Sequence, residues 1–219
     1  RQRQMCIRDR HYALDLWFEK CIKKQLYGEA YLVRFADDFL IMFQYERDAQ
    51  RVYEAIIRRM ELFGLELSKE KTRILPFGRN CGARETFDFL GFIHFNSKTR
   101  KGYYSVGHKI SRKKKKQFKS NLKKWVKENR DKQFDEFMKK LNKKLTGSFN
   151  YYSLSGMIRE VRSLWIHSLY VTFKWMNRRS QRRSFKLERF YEIWHERIIH
   201  PYIHVDIWSG DKVIYNKKV

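Results

Sequence analysis

Residues 31–43 read "YLVRFADDFLIMF", a strand-like apolar run with two adjacent aspartates at its centre. Leu32, Val33, Phe35 and Ala36 lead into Asp37 and Asp38, and Phe39, Leu40, Ile41, Met42 and Phe43 lead out. Two like charges inside a buried strand would repel each other and lose hydration. The pattern makes physical sense if Arg34 to Phe39 straddle a tight β-hairpin turn, with both carboxylates at its tip and partly in water. There a divalent cation would cancel the repulsion, and magnesium, which favours a few carboxylates plus phosphate oxygens, suits phosphoryl transfer. The plainer alternative is a polar turn between two strands, where aspartate is common.

The rest of the chain bears on that choice. Its 219 residues hold 49 Lys and Arg against 24 Asp and Glu, a formal net charge of +25. Such an excess points to a polyanionic partner, nucleic acid first, with a merely soluble basic protein as the alternative. Aromatic residues make up 16% and hydrophobic residues 42%, which is ample material for a core and argues against a disordered chain. Cys6, Cys21 and Cys81 form no close pair, so neither a zinc knuckle nor a disulfide framework is indicated, and a reducing intracellular compartment fits. No apolar run reaches the roughly 18 residues of a membrane span, and no signal-peptide core is present.

The charge is unevenly spread. Residues 1–107 carry 20 basic and 14 acidic side chains, residues 108–219 carry 29 and 10, and a domain boundary is expected near Gly107. The opening "RQRQMCIRDR" lacks any period and is set aside as a stray segment, residues 1–10. "HYALDLWFEKCIKKQL" predicts a helix with Leu14, Trp17, Phe18, Cys21 and Ile22 on one face, ended by Gly28. Ala49, Val52, Tyr53, Ile56, Met60 and Phe63 predict a second amphipathic helix, stopped by Gly64. Short strands are expected at "LEL", "TRILPF" and "TFDFLGFIHF", then a hairpin turn at "NSKTRKG" leading into "YYSVG". This order predicts an α+β layer, helices packed on a mainly antiparallel sheet, over 11–107. From Ile110 onward three apolar stripes predict an all-α three-helix bundle: Phe118, Leu122, Trp125 and Val126; Phe134, Phe137, Leu141 and Leu145; Ile158, Val161, Trp165, Leu169 and Thr172. Its outer faces carry "SRKKKKQFK", "KKLNKKL" and "NRRSQRRSFK".

At this point the chain resembles a known family, the reverse transcriptases or maturases encoded by group II introns. "YLVRFADDFLIMF" is similar to their Tyr-Ala-Asp-Asp palm hairpin, with Phe35 in place of the usual tyrosine. "HYALDLWFEK" resembles the helix before that hairpin, "LGLELSKEKTRIL" the segment after the next helix, and "FDFLGFIHF" the primer-grip strand. "LNKKLTGSFNYYSLSG" and "FKWMNRRSQRRSF" resemble the thumb, the maturase-specific region. The similarity runs from about His11 to about Trp208, with six matches in order.

The resemblance implies a partial right-hand polymerase palm at 11–107 and a helical thumb or maturase domain with a C-terminal extension at 108–219. It implies RNA-templated DNA synthesis with magnesium and deoxynucleoside triphosphates, on an RNA template and primer. It also implies binding of the group II intron RNA to assist splicing, by a cytoplasmic bacterial protein. Asp37 and Asp38 would be catalytic metal ligands. Lys71 would face the pyrophosphate, unless it is a solvated strand-end lysine. Phe89, Leu90 and Gly91 would lie at the primer backbone, where glycine allows close approach. Lys113, Lys114, Lys115, Lys116, Lys143, Lys144, Arg178, Arg179, Arg182 and Arg183 would meet phosphates. Phe35 lacks the hydroxyl of the usual tyrosine.

The family pattern also has a third metal-binding aspartate and a nucleotide-covering Pro-Gln-Gly segment upstream of the His11 helix. Asp9 and Asp15 do not suit that role, so the chain is expected to be the C-terminal half of an enzyme and inactive as a polymerase by itself. A stand-alone RNA-binding maturase module is the alternative function. A diguanylate-cyclase-like palm is a third reading, against which the basic bundle counts. "WHERIIHPYIH" brings His195, His200 and His204 together without a Cys or carboxylate at zinc spacing, so solvated or phosphate-facing histidines are expected. "SRKKKK" could serve as a localisation or calmodulin-type patch, but a thumb helix facing a nucleic-acid backbone is more economical.

Overall fold

The aspartate-bearing run folds as a hairpin in the computed structural model, which describes residues 11–68, 70–79, 85–179, 184–203 and 205. Strands β1 (Ala30–Phe35) and β2 (Asp38–Phe43) pair antiparallel, with Ala30 opposite Phe43 and Phe35 opposite Asp38. Alternation then gives the ribbon two faces. Ala30, Leu32, Phe39, Ile41 and Phe43 pack into a core, while Tyr31, Val33, Phe35 and Met42 stand exposed on the other side.

Two helical stretches cover the packed face. The first, α1, runs as wide π turns over His11–Leu16 and Phe18–Ile22, then tightens into a 3₁₀ turn at Lys23–Gln25. This winding changes which side chains share a face. A π turn holds more than four residues, so Ala13, Leu14, Trp17, Phe18 and Ile22, four or five apart, share the core face. Cys21, expected on that face, is exposed. Helix α2 (Glu46–Leu62) buries Ala49, Val52, Ile56 and Met60 as the i, i+3, i+4 spacing predicts. It ends in a Schellman turn: Gly64 donates to Glu61 O at 2.9 Å and Leu65 to Met60 O at 3.0 Å, with Gly64 at φ +66°. Phe63 falls on the cap and stays largely exposed.

Beyond α2 the strand expectations need correction. "LEL" and "TRILPF" form no strand, because no described strand lies beside them to complete a ladder. Leu65 and Leu67 still pack on the core, and Phe77 meets Phe87 edge to face at 5.0 Å. "TFDFLGFIHF" is two strands rather than one: β3 (Thr86–Phe89) turns through Leu90–Gly91 into β4 (Phe92–Lys98). With β5 (Tyr104–Ile110) these make a three-stranded sheet in the order β3-β4-β5. The expected turn at "NSKTRKG" is present, tightened by Gly102 N donating to Thr99 O and by Thr99 N donating to Tyr103 O.

The rest of the described chain is helical: α3 (Arg112–Asn129), α4 (Phe134–Tyr152), α5 (Ile158–Met176) and α6 (Leu187–Arg197). Each predicted stripe is the buried face of one helix, with Leu122 and Val126, then Phe137, Leu141 and Leu145, then Val161, Trp165, Leu169 and Thr172 buried. Helix α6 was not anticipated. It buries Phe190 and Trp194 and is held by an Arg197–Asp135 ion pair to the first turn of α4. The chain after it doubles back, where Ile199 N donates to Asn142 and Tyr202 OH to Asn150.

By compactness the molecule divides in two. One unit holds the described residues up to Leu90 together with Lys98–Tyr104; the other holds Gly91–Ser97 and the described residues from Ser105 onward. No described helix is long and apolar enough to cross a membrane.

Candidate catalytic hairpin and nucleic-acid interface

In the first unit, Ala36 and Asp37 form the two-residue tip of the hairpin, and Asp38 opens β2. Ala36 has φ 53° and Asp37 is not left-handed, the pattern of a type II′ turn that matches strand twist. Both carboxylates are exposed, as a charged tip requires. The turn is braced from the packed side. Arg34 holds Asp15 through Nε to Oδ1 at 2.7 Å and Nη2 to Oδ2 at 2.5 Å, and its Nη1 donates to Ala36 O at 3.1 Å. The Arg34 bond holds the Asp15 carboxyl below its usual range, against the opposing effect of burial. Asp15 in turn raises Arg34, and the nearby charge of Asp37 adds to that rise. Asp15 therefore supports the turn rather than belonging to the carboxylate pair.

A second carboxylate that periodicity does not single out also fixes this ribbon. Asp48, on the buried side of α2, accepts from Tyr27 N at 3.0 Å and Gly28 N at 3.1 Å, setting the chain's entry into β1. Arg34 carried a readable signal: it sits at a core-facing position of the alternation Ala30, Leu32, Arg34, and an inward charge demands a partner. Lys71 lies exposed in a turn whose amide donates to Ser68 O.

Phe89, Leu90 and Gly91 occupy the end of β3 and its turn. Leu90 (φ 52°) and Gly91 (φ 82°) are both left-handed, which defines a type I′ hairpin. In the second unit, Gly91 O accepts from Ser111 N at 2.9 Å, and the Ser111 hydroxyl caps α3 by accepting from Lys114 N at 3.3 Å. A Cβ on Gly91 would lie 3.3 Å from the Lys114 side chain. Thus Gly91 and the basic run starting α3 are neighbours, although the whole of β4 and β5 lies between them in the sequence.

The predicted phosphate-contacting residues are mostly solvent-facing: Lys113, Lys114, Lys116, Lys143, Lys144, Arg178 and Arg179 are all exposed. Lys115 is different, because it pairs with Glu160 of α5 at 2.5 Å and is half-buried. Arg182, Arg183 and His204 lie outside the described residues. The other two histidines are half-buried. His195 and His200 lie 4.6 Å apart, and Trp165 meets His195 at 5.0 Å and stacks on His200 at 5.7 Å. Burial, then the neighbouring His200, keeps His195 below its usual range. A further pair, His94 and His108, brings its Nδ1 atoms to 3.0 Å across β4 and β5.

As hard oxygen donors on an exposed turn, Asp37 and Asp38 suit a magnesium ion, with phosphate oxygens completing the shell. Among the described residues no group of three or more His, Cys, Asp or Glu side chains gathers to hold a metal.

Comparison with known families gives two matches. Residues 11–94 match the reverse transcriptase (RNA-dependent DNA polymerase) model, and residues 115–192 match the group II intron maturase-specific domain. No curated protein matches the chain. The first match contains the carboxylate hairpin, and the second contains all of α4 and α5 with most of α3. With both domains present in this order, the chain belongs to the group II intron reverse transcriptases and maturases.

Proposed function

We propose that this chain supplies the metal-binding hairpin and the thumb of an RNA-directed DNA polymerase that also binds its intron RNA to assist splicing. The observation that carries the reading is the pairing of two kinds of site in one chain: an exposed carboxylate turn, braced by Arg34, and a helical unit whose outer faces are strongly basic. Asp37 and Asp38 are the residues that would hold magnesium, with Asp37 the principal ligand. The metal supplies charge neutralisation at the transferring phosphoryl group and a more acidic primer hydroxyl. Arg34 keeps the turn fixed, Gly91 lets the primer backbone approach closely, and Lys71 is a cation available to the leaving pyrophosphate. Helices α3, α4 and α5 act as the thumb and hold RNA through phosphates. Template, primer and deoxynucleoside triphosphates are the partners this implies.

Two carboxylates alone do not complete a two-metal site, so this chain by itself is not expected to polymerise. Primer extension on an RNA template tests the reading in two arms. The isolated chain should give no product. A polymerase-competent protein containing it should lose synthesis on Asp37→Ala while keeping its RNA affinity. Near-normal extension by that variant would return the hairpin to the class of ordinary polar turns. The alternative, a maturase module without catalysis, is favoured if RNA binding persists and no context restores synthesis.

A further inference from the structure

We propose that the cations gathered around Trp175 form a preorganised site for the phosphodiester backbone of RNA, built where the C-terminal ends of α3 and α5 meet. The proposal rests on the RNA-binding reading above. It adds Lys127, Arg130 and Trp175, which no run of charge in the sequence singles out.

Three cations surround one indole. Lys127 Nζ lies 5.9 Å from the ring centroid, Arg130 Cζ 5.5 Å and Arg178 Cζ 5.4 Å. Two reciprocal bonds lace the helix ends together: Arg130 Nη1 donates to Arg178 O at 3.5 Å, and Arg179 Nη2 to Lys132 O at 3.2 Å. Like charges held this close repel, and free side chains would spread into water. Here the indole face and the terminal carbonyls fix them. Arg130 Nε is buried and makes no hydrogen bond, so part of the fork is desolvated with only a longer-range charge contact in return.

Neutralisation is incomplete. The carboxylate that approaches is Asp131, 3.7 Å from Arg130 Nε and 77% exposed. Among the described residues no carboxylate pairs with Lys127, Arg178 or Arg179. Four cations against one carboxylate and two helix C-termini, worth about half a negative charge each, leave a surplus of about two. Two adjacent phosphodiesters supply that charge. Guanidinium planes already oriented by an aromatic ring lose less freedom on meeting phosphate than free lysines do. Helix capping accounts for cations at these carbonyls, but not for a surplus collected on one ring.

The test is fluorescence anisotropy of a labelled single-stranded RNA with the whole chain, titrated with salt. Trp175→Leu keeps every charge and removes the ring. It should weaken binding about three- to tenfold while leaving the salt slope nearly unchanged. Arg178→Gln should weaken binding and flatten the slope by roughly 0.7 to 0.9. If Trp175→Leu proves unfolded by circular dichroism, Arg130→Lys retains charge but loses the planar fork, and should also weaken binding several-fold. Wild-type affinity in every folded variant of these would overturn the site, as would equal competition by polyglutamate, which would mark an acidic-protein surface. The triple change Lys113→Gln, Lys114→Gln, Lys116→Gln separates this proposal from its basis. If the triple variant weakens binding and the Trp175 and Arg130 variants do not, the site falls and the RNA-binding reading stands. If the wild-type chain binds no RNA, both fall.

Discussion

Arg34 spans the gap between α1 and the carboxylate-bearing turn: the same guanidinium holds both carboxylate oxygens of Asp15 and the carbonyl of Ala36. Both partners are largely shielded, with 19% and 23% of their side chains exposed, so the pair is less screened than an ordinary surface bridge. A double-mutant cycle of Arg34→Ala with Asp15→Asn, read by urea unfolding, should give a coupling of about 1–2 kcal/mol. Simple additivity would mean that the bidentate geometry contributes nothing.

The same pair predicts a pH response. Asp15 is held below its usual carboxylate range, chiefly by the bond from Arg34. A depressed carboxyl contributes stability above its ordinary value and loses that contribution as pH falls through the lowered one. The stability difference between wild type and Asp15→Asn should therefore be constant near neutrality and shrink below about pH 5. A difference that grew with acidity would contradict the assignment.

His195 predicts a second pH effect in the helical unit. Burial and then His200 depress it, and it packs among Trp165, Tyr191 and His200. The fold thus favours the neutral ring, so stability is present above the usual imidazole value and is lost as pH falls. The thermal midpoint of this unit should drop between about pH 7 and pH 5, and His195→Gln should lessen the drop. An unchanged pH profile in that variant would place the titration elsewhere.

The two hairpin turns should respond unequally to the glycine–alanine exchange. Gly91 sits at φ 82°, and alanine there should cost about 1–2 kcal/mol. Ala36 sits at φ 53° and is exposed, so Ala36→Gly removes strain while loosening the unfolded chain, and should change stability by less than about 1 kcal/mol. Chemical denaturation of each variant checks both magnitudes.

What could be read from the sequence was whatever depends on period. The alternation around Asp37 fixes the hairpin's faces, and the spacing of Leu122, Leu141 and Trp165 fixes three helices. The failures have physical causes. A 3.6-residue period puts Cys21 on the buried face, whereas α1 winds in π turns of more than four residues and leaves it exposed. "TFDFLGFIHF" reads as one strand because Leu90 gives no turn signal, although it adopts a left-handed conformation that usually selects Gly or Asn. Trp175 was invisible because its cations come from separate helices, and their convergence is a property of packing rather than of any local run.

The final prediction concerns the basic start of α3. Phosphate contacts release counterions, so log affinity should fall linearly with log salt by roughly 0.7 to 0.9 per phosphate neutralised. Of the run Lys113–Lys116, Lys115 is committed to Glu160, 2.5 Å away and half-buried. Its replacement by Gln would leave a partly buried carboxylate without its cation, and should lower stability more than RNA affinity. Lys113, Lys114 and Lys116 are exposed, and should do the reverse. Changing those three to Gln should therefore flatten the salt slope at unchanged melting temperature, weakening binding to all RNA sequences alike because phosphates carry no sequence information. Lys115→Gln alone should lower the melting temperature and scarcely alter the slope. Parallel salt titrations and thermal melts of the whole chain distinguish the two effects. Equal behaviour of all four lysines would mean that the Lys115–Glu160 contact is only a surface pair, and an unaltered slope in the triple variant would make this face of α3 a solvated one.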